Sequence, residues 1–316
     1  MVNQQIKSFQ HYVPRFLLEY FTAEGVLWVY DRKLNQFRTQ SAKATAGEKA
    51  YYVFTKKDGE MSTALEEMFS QIEGVASILV KDLEAEKKNL DEQGKVDMAT
   101  FLAALYLRVP NSFGRTEAMS TKMIKEYMSR ATRFDEHFHK TMEEIEKKHG
   151  EVISKKQREE IQKSFIDKNY DLRFPKEHML KSMMQMFQEF YLIFAQMEWV
   201  ILEAPRGKSF ITSDNPAFTF NIKPEGFWGS GIGILAPNCE STAVLTPRFC
   251  VFLSQKNNPD SISYVKATSK LVDNINFRTA ICSSRFVVSH SEALLKKWVK
   301  RTHLDKRAPY ISVDVG

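Results

Sequence analysis

Apolar positions change their period twice along the chain. Val13, Phe16, Leu17, Tyr20 and Phe21 recur at helical spacing, and Pro14 stands where the first helical turn tolerates a missing N–H, so a short helix is expected there. Gly25 then introduces Val26-Leu27-Trp28-Val29-Tyr30-Asp31, rich in β-branched and aromatic side chains and read as a strand. Residues 31–35 read as a turn and 36–38 as the start of a partner strand. Tyr51-Tyr52-Val53-Phe54 reads as another strand, ending at Lys56-Lys57-Asp58-Gly59, where Asp-Gly signals a turn.

From Ser62 the period becomes helical. Ser62 suits an N-cap, Glu66 and Glu67 suit the positive end of a helix dipole, and Leu65, Met68, Phe69, Ile72, Val75 and Ala76 form the apolar stripe. A second helix over residues 94–108 stops before Pro110, which disfavours helical geometry in the residue ahead of it. Residues 115–150 and 154–170 read as long, charge-laced helices, and 175–196 as a further strong one. Residues 198–204 then form a strand, Pro205-Arg206-Gly207-Lys208 a tight turn, and Ser209-Phe210-Ile211-Thr212 its hairpin partner. Strand signals follow at 217–222, 242–254 and 284–289, with a helix around 266–278 and another capped by Ser291 and running through Lys300.

The order predicts an α+β fold: a mixed or antiparallel sheet formed by N- and C-terminal strands, with a large helical middle region as an insertion or lid. Three stretches follow: an N-terminal helix and β-rich segment (1–60), a helical region (61–197), and a β-rich C-terminal part (198–316) completing the same core.

Composition narrows the class. At 316 residues and 43 % hydrophobic the chain has ample material for a core, and 27 % charge is ordinary for a globular protein. A net charge of +6, from 45 basic against 39 acidic residues, favours anionic partners only weakly. Cys239, Cys250 and Cys282 form no CxxC pair, so neither a disulfide framework nor a structural zinc site is expected, and buried thiols are. The polar opening, Met1 to Gln10, lacks a signal-peptide pattern. The longest apolar run, residues 190–202, is broken by Gln196 and Glu198 and is too short to span a bilayer. A cytoplasmic protein with no membrane partner is expected.

Candidate chemistry concentrates in two polar blocks set in apolar surroundings. His11 titrates near neutrality and suits a general base, or a histidine bonded to a backbone carbonyl. Asp214 ends a strand and precedes Asn215-Pro216, suiting either a tight turn or a carboxylate that positions a base or a metal. Glu66 and Glu73, seven apart, share a helix face and are able to offer oxygen ligands to Mg²⁺ or Mn²⁺, or simply to face solvent. Arg15 and Arg108 suit a bidentate clamp on phosphate or a pairing with these glutamates. Asp135-Glu136-His137-Phe138-His139 has metal-like spacing on a charge-rich helix and reads as surface pairing. The glycines of residues 226–233 lack the Lys-Ser/Thr of a phosphate loop and read as a loop tip.

Gln10-His11-Tyr12-Val13-Pro14-Arg15-Phe16-Leu17, followed by Val29-Tyr30-Asp31, resembles the opening of a bacterial family known as domain of unknown function 4238. The likeness continues through Leu65-Glu66 to Glu73, Arg108-Val109-Pro110, Phe210-Ile211-Thr212-Ser213-Asp214-Asn215-Pro216, Thr246-Pro247, Asn274 and Asn276. It implies a shared fold and a shared site, and no particular activity.

Two functions are compatible with these residues. One is a metal-dependent hydrolase, a nuclease or phosphoesterase acting on nucleic acid or nucleotide. There His11 and Asp214 are catalytic, Glu66, Glu73 and Asp214 hold Mg²⁺ or Mn²⁺, and Arg15, Tyr12, Arg108 and Asn215 bind substrate. The other is a non-catalytic nucleotide- or protein-binding module, serving bacterial defence or stress response. Both expect the His11 and Asp214 blocks to meet in space.

Overall fold

A computed structural model describes residues 9–56, 59–87, 90–221, 234–236, 239–255 and 262–307. The glycine segment 226–233, and Lys57-Asp58 of the expected Asp-Gly turn, lie outside these residues. In chain order the first elements are β1 (Phe9–His11), α1 (Arg15–Glu19), β2 (Leu27–Asp31), β3 (Gln36–Gln40), a 3-10 turn at Ala42–Ala44, β4 (Gly47–Lys49), β5 (Phe54–Thr55) and β6 (Met61–Ser62). Six long helices follow: α2 (Ala64–Glu84), α3 (Glu92–Leu107), α4 (Pro110–Ala131), α5 (Asp135–His149), α6 (Lys155–Ile166) and α7 (Lys176–Gln196). The chain closes with β7 (Glu198–Glu203), β8 (Thr212–Ser213), β9 (Ala217–Asn221), β10 (Cys239–Val244), β11 (Phe249–Ser254), β12 (Ile262–Lys266), α8 (Ser269–Ile281), β13 (Phe286–Ser289) and α9 (Glu292–Thr302). None of the described helices is long and apolar enough to cross a membrane.

The chain divides into two units, Met1–Phe113 with Leu180–Gly316, and Gly114–Met179. The first holds both main sheets. One, ordered β12-β7-β11-β10-β9, is antiparallel except for the β12–β7 pair. The other, β3-β2-β13-β8, is antiparallel throughout and joins strands from the two ends of the chain. This is the α+β architecture with mixed and antiparallel sheets that the order of elements implies. Helix α3 is apolar on every side from Phe101 to Leu107 and buried over that whole stretch, as expected of a helix running through a core. All three cysteines are free and buried, Cys239 and Cys250 in strands and Cys282 at the end of α8.

The second unit is helical. Gly150, at φ +71°, ends α5, and Ser154 opens α6 with a capping box completed by Gln157. Arg158 bonds Glu146 at 2.7 Å, and Asp135 accepts from Gln162 at 2.7 Å, so the carboxylate of the metal-like run serves helix pairing.

Four local expectations are corrected. The N-cap of α2 is Thr63, with Ser62 in β6. Residues 115–150 form two helices broken after Ala131, and the first of them begins at Pro110, where proline suits a first turn. Tyr51 to Val53 form a turn, because the Tyr52 N–H is taken by the Gln10 side chain at 2.6 Å and no strand partner is offered. Residues 209–211 do not form a hairpin with β7. Their polar groups are taken by Asn276 of α8, whose Oδ1 accepts from Ile211 N at 2.9 Å and whose Nδ2 donates to Ser209 O at 2.9 Å. The chain therefore leaves β7 and enters the other sheet as β8.

Asn276→Ala orphans an amide and a carbonyl, and a loss of roughly 2–4 kcal/mol is expected. Exposed Asn274→Ala should cost under about 0.5 kcal/mol. Urea unfolding of both variants measures this; equal effects would show that Asn276 does not tether the segment.

Candidate functional site

Strand β1 pairs with β4 in the register Gln10↔Glu48 and His11↔Gly47. Glycine at 47 permits this approach, since a Cβ there would lie 2.7 Å from the Gln10 carbonyl oxygen. His11 is half-buried, and its Nε2 donates to the Lys43 carbonyl at 3.0 Å. Burial lowers its pKa against the pull of the Lys43 and Ala42 carbonyls, so the ring is neutral at pH 7. Tyr12 follows, almost fully buried, with its N–H on the Ala46 carbonyl at 3.0 Å.

Arg108, at the end of α3, is 1 % exposed. Its Nε donates to the Tyr12 carbonyl at 3.0 Å and its Nη1 to Glu73 at 2.7 Å, while the guanidinium lies 5.1 Å from the centre of the Phe69 ring. This arginine fixes the backbone at Tyr12. His11, Glu73 and Arg108 thus form one cluster, in which Glu73 and Arg108 act on His11 with opposite signs.

Asp214 approaches from the other end of the chain and is buried. Its Oδ1 accepts from Ser284 N at 2.9 Å, and its Oδ2 from Arg285 N at 2.5 Å and Phe286 N at 3.1 Å. Burial pushes its carboxyl up to about 6, against the three amides that favour the charged form. Asn215 is also buried, with its Nδ2 on the Cys282 carbonyl at 3.0 Å and its N–H on Ser213 Oγ at 3.1 Å. The Ser-Asp-Asn block therefore clasps the end of α8 and the start of β13.

A second buried carboxylate completes the arrangement. Asp31, at the end of β2, takes the Lys33 and Leu34 amides of the following turn at 3.1 and 3.3 Å. It also takes Arg285 through Nε at 3.2 Å and Nη2 at 3.0 Å, and Arg38 through Nη2 at 2.9 Å. Burial opposes its ionisation, yet the Arg285 and Arg38 guanidiniums hold its pKa below the usual carboxylate value. Both guanidiniums lie against the Phe286 ring, at 5.7 Å for Arg38 and 4.6 Å for Arg285.

These groups line a cavity of about 310 Å³ whose wall includes Tyr12, Arg38, Glu48, Asp214, Arg285 and Phe286. Burial raises the Tyr12 pKa, with the Asp214 and Glu48 charges adding to it, so the phenol stays protonated. Among the described residues its hydroxyl makes no hydrogen bond, and it is not one of the polar atoms sealed from solvent without a partner.

Of the expected site residues, the fold brings Tyr12 and Asp214 to this one cavity. His11, Glu73 and Arg108 form the adjoining cluster. Arg15 is exposed on α1 and paired with Glu19 at 2.8 Å, and Glu66 is half-exposed in the first turn of α2. Asn215 is tied to backbone. Among the described residues no three His, Cys, Asp or Glu groups gather to hold a metal ion, so Glu66, Glu73 and Asp214 are not drawn together. The sequence reading gave no role to Arg38, Arg285, Asp31 or Glu48. Asp31 alone carried a signal, as the charged end of an apolar strand.

The two carboxylates give opposite pH dependences. Asp31, depressed, adds stability above its unfolded value, and that stability is lost only as the pH falls below about 4. Asp214, raised, adds stability that is complete below about pH 4 and is lost as the pH rises through about 6. The wild type should therefore lose roughly 2–3 kcal/mol relative to Asp214→Asn between pH 4.5 and 8. Urea unfolding at both pH values tests this, and a pH-independent difference would show that Asp214 does not titrate there.

Searches of curated proteins and of solved structures give no match. A family model does match, across residues 10–293, from the buried Gln10 of β1 to the second residue of α9. That span contains every residue of the cavity and of the His11 cluster, and the chain belongs to the family described as protein of unknown function, DUF4238.

Proposed function

We propose that the protein binds a small anionic molecule, such as a nucleotide or another phosphorylated metabolite, in the cavity between Tyr12 and Asp214. The carrying observation is the pair of guanidiniums, Arg38 and Arg285, anchored to one oxygen of the buried Asp31 and turned along the cavity wall. Two guanidiniums over one carboxylate place an excess of positive charge on that side of the cavity, facing Asp214 and Glu48, and guanidinium forks suit phosphate and carboxylate oxygens. A volume of about 310 Å³ suits a small ligand. This places the reading nearer to a nucleotide-binding module than to a nuclease working on a long strand.

Hydrolysis of the bound molecule is a second reading. It is favoured by Asp214, a carboxyl pushed up to about 6 on the cavity wall, where general acid–base work at neutral pH is served. Added Mg²⁺ or Mn²⁺ would then have to be bound with help from the ligand's own oxygens.

Calorimetric titration with nucleotides and sugar phosphates tests the first reading. Arg38→Ala and Arg285→Ala should each weaken binding about 10–100-fold, the worth of a charged hydrogen bond. Binding unaffected by both substitutions would remove the cavity as the site. Incubating the ligands that bind, and RNA and DNA, with and without Mg²⁺ or Mn²⁺ tests the second. Turnover abolished by Asp214→Asn supports it, and binding without turnover sinks it.

A further inference from the structure

We infer that a basic face formed by α8, the last turns of α9 and the turn at residues 205–208 binds the phosphate backbone of duplex nucleic acid. It shares no residue with the cavity, and so stands apart from the small-ligand reading.

The chain's charge excess is small overall, 45 basic against 39 acidic residues, but it is unevenly placed. From Ser269 to Thr302, across α8 and α9, seven lysines and arginines face two acidic residues. Arg278 and Arg285 are bound elsewhere, to Glu240 and Asp31. Of the two acids, Glu292 is occupied by Lys296 at 2.8 Å. The other, Asp273, is contacted by Lys208 at 3.2 Å, Lys297 at 3.6 Å and Arg301 at 3.2 Å. Burial opposes its ionisation, yet these cations hold its pKa below the usual carboxylate value. One negative charge is thus shared by three positive ones. Lys270, one turn before Asp273, and Lys300, beside Arg301, are exposed and form no ion pair among the described residues. Arg206 and Lys266 extend the face along a shallow groove of about 340 Å³, which Lys208 joins to the Asp273 cluster. Arg248 of that groove is committed to Glu203 at 2.5 Å and Glu86 at 2.6 Å.

Lys297, Lys300 and Arg301 stand three and four positions apart, so they share one helix face with about 5–6 Å between neighbours. A duplex carries one negative charge per about 1.7 Å of its axis, so several of these cations meet phosphate at once. Asp273 holds Lys208, Lys297 and Arg301 in place beforehand, which lowers the ordering cost of binding. Two other polyanions fit less well. A helix that lies on a membrane presents Trp, Phe or Leu to the lipid. No exposed large apolar side chain among the described residues comes from α8 or α9, and Trp298 is buried. Single strands are held by aromatic side chains on which bases stack, and neither helix exposes one.

Fluorescence anisotropy on the intact chain measures binding to a DNA duplex, the RNA duplex of the same sequence and a single strand across a salt series. A duplex should bind severalfold tighter than the single strand, with a log–log salt slope of about −3 for three or four phosphates. The ratio of the two duplexes identifies the source. Lys300→Ala and Arg301→Ala should each weaken duplex binding severalfold and reduce the slope by about 1. Asp273→Asn, checked for an unchanged circular dichroism spectrum, should tighten it severalfold, a gain that a purely structural ion-pair cluster does not give. Arg38→Ala and Arg285→Ala should leave it unchanged, and duplex binding lost in these cavity variants instead overturns the inference. So does an absence of duplex binding at low salt, or duplex binding that Lys300→Ala and Arg301→Ala both leave untouched. Tighter capture of the single strand, or of phosphatidylserine vesicles in a sedimentation assay, overturns it as well.

Discussion

Where a helix ends and a strand begins, several backbone amides fall between the two ladders and need acceptors. In this chain the amides of Ser284, Arg285 and Phe286 occupy that gap between α8 and β13, and all three are taken by the single carboxylate of Asp214. The grip sets where β13 starts, and with it the register that places Val287 against both Tyr30 and Ser213. That register closes the four-stranded sheet from the two ends of the chain. It also orients Arg285, whose backbone is held by one buried carboxylate while its side chain is held by another, Asp31. The sheet and the cavity wall share one cause.

The two carboxylates differ because their donors differ. Asp31 faces two guanidiniums as well as two amides, and full charges compensate for the loss of water. Asp214 faces three neutral amides, with the Arg32 guanidinium the smallest of the influences that lower it, and desolvation wins. One carboxylate is therefore a permanent anchor for cations, while the other takes up its proton at about pH 6. An anion in the cavity would meet the two guanidiniums on the β2–β3 side and, on the other, a carboxyl that is uncharged only below about pH 6.

Periodicity made much of the fold legible, because burial of an apolar stripe and alternation on a strand are local signals. The stripe from Leu65 to Ala76 became α2, and Ser291 caps α9 as its position suggested. Where the expectation failed, a distant side chain had replaced a backbone partner. Gln10 takes the amide that would have put Tyr52 in a strand, and Asn276 takes the groups that would have paired residues 209–211 with β7. The same holds at the site. Arg108 looked like a phosphate clamp because charge is visible in sequence and burial is not; after the apolar last turns of α3 it is enclosed and bonded to backbone and to Glu73. Arg38 and Arg285 were illegible for the converse reason. On an edge strand and beside a turn, arginines read as solvated charge, and only a carboxylate 254 positions away from Arg285 gives them a shared direction.

The polar residues around the cavity therefore divide by task. Asp214, Asn215, Arg108 and Asn276 all spend their hydrogen bonds on backbone groups of this chain, and Arg108 spends one more on Glu73. Tyr12 is different. Its amide is bonded to Ala46 and its carbonyl to Arg108, so the backbone on both sides is held, while the phenol is left with no partner among the described residues. The side chain is held in one place on the cavity wall, so an acceptor brought there by a ligand meets a donor that is already ordered. Arg108 on its carbonyl and Ala46 on its amide fix Tyr12 opposite Arg285 and Asp214 of the same cavity, so its phenol is placed for recognition rather than for folding.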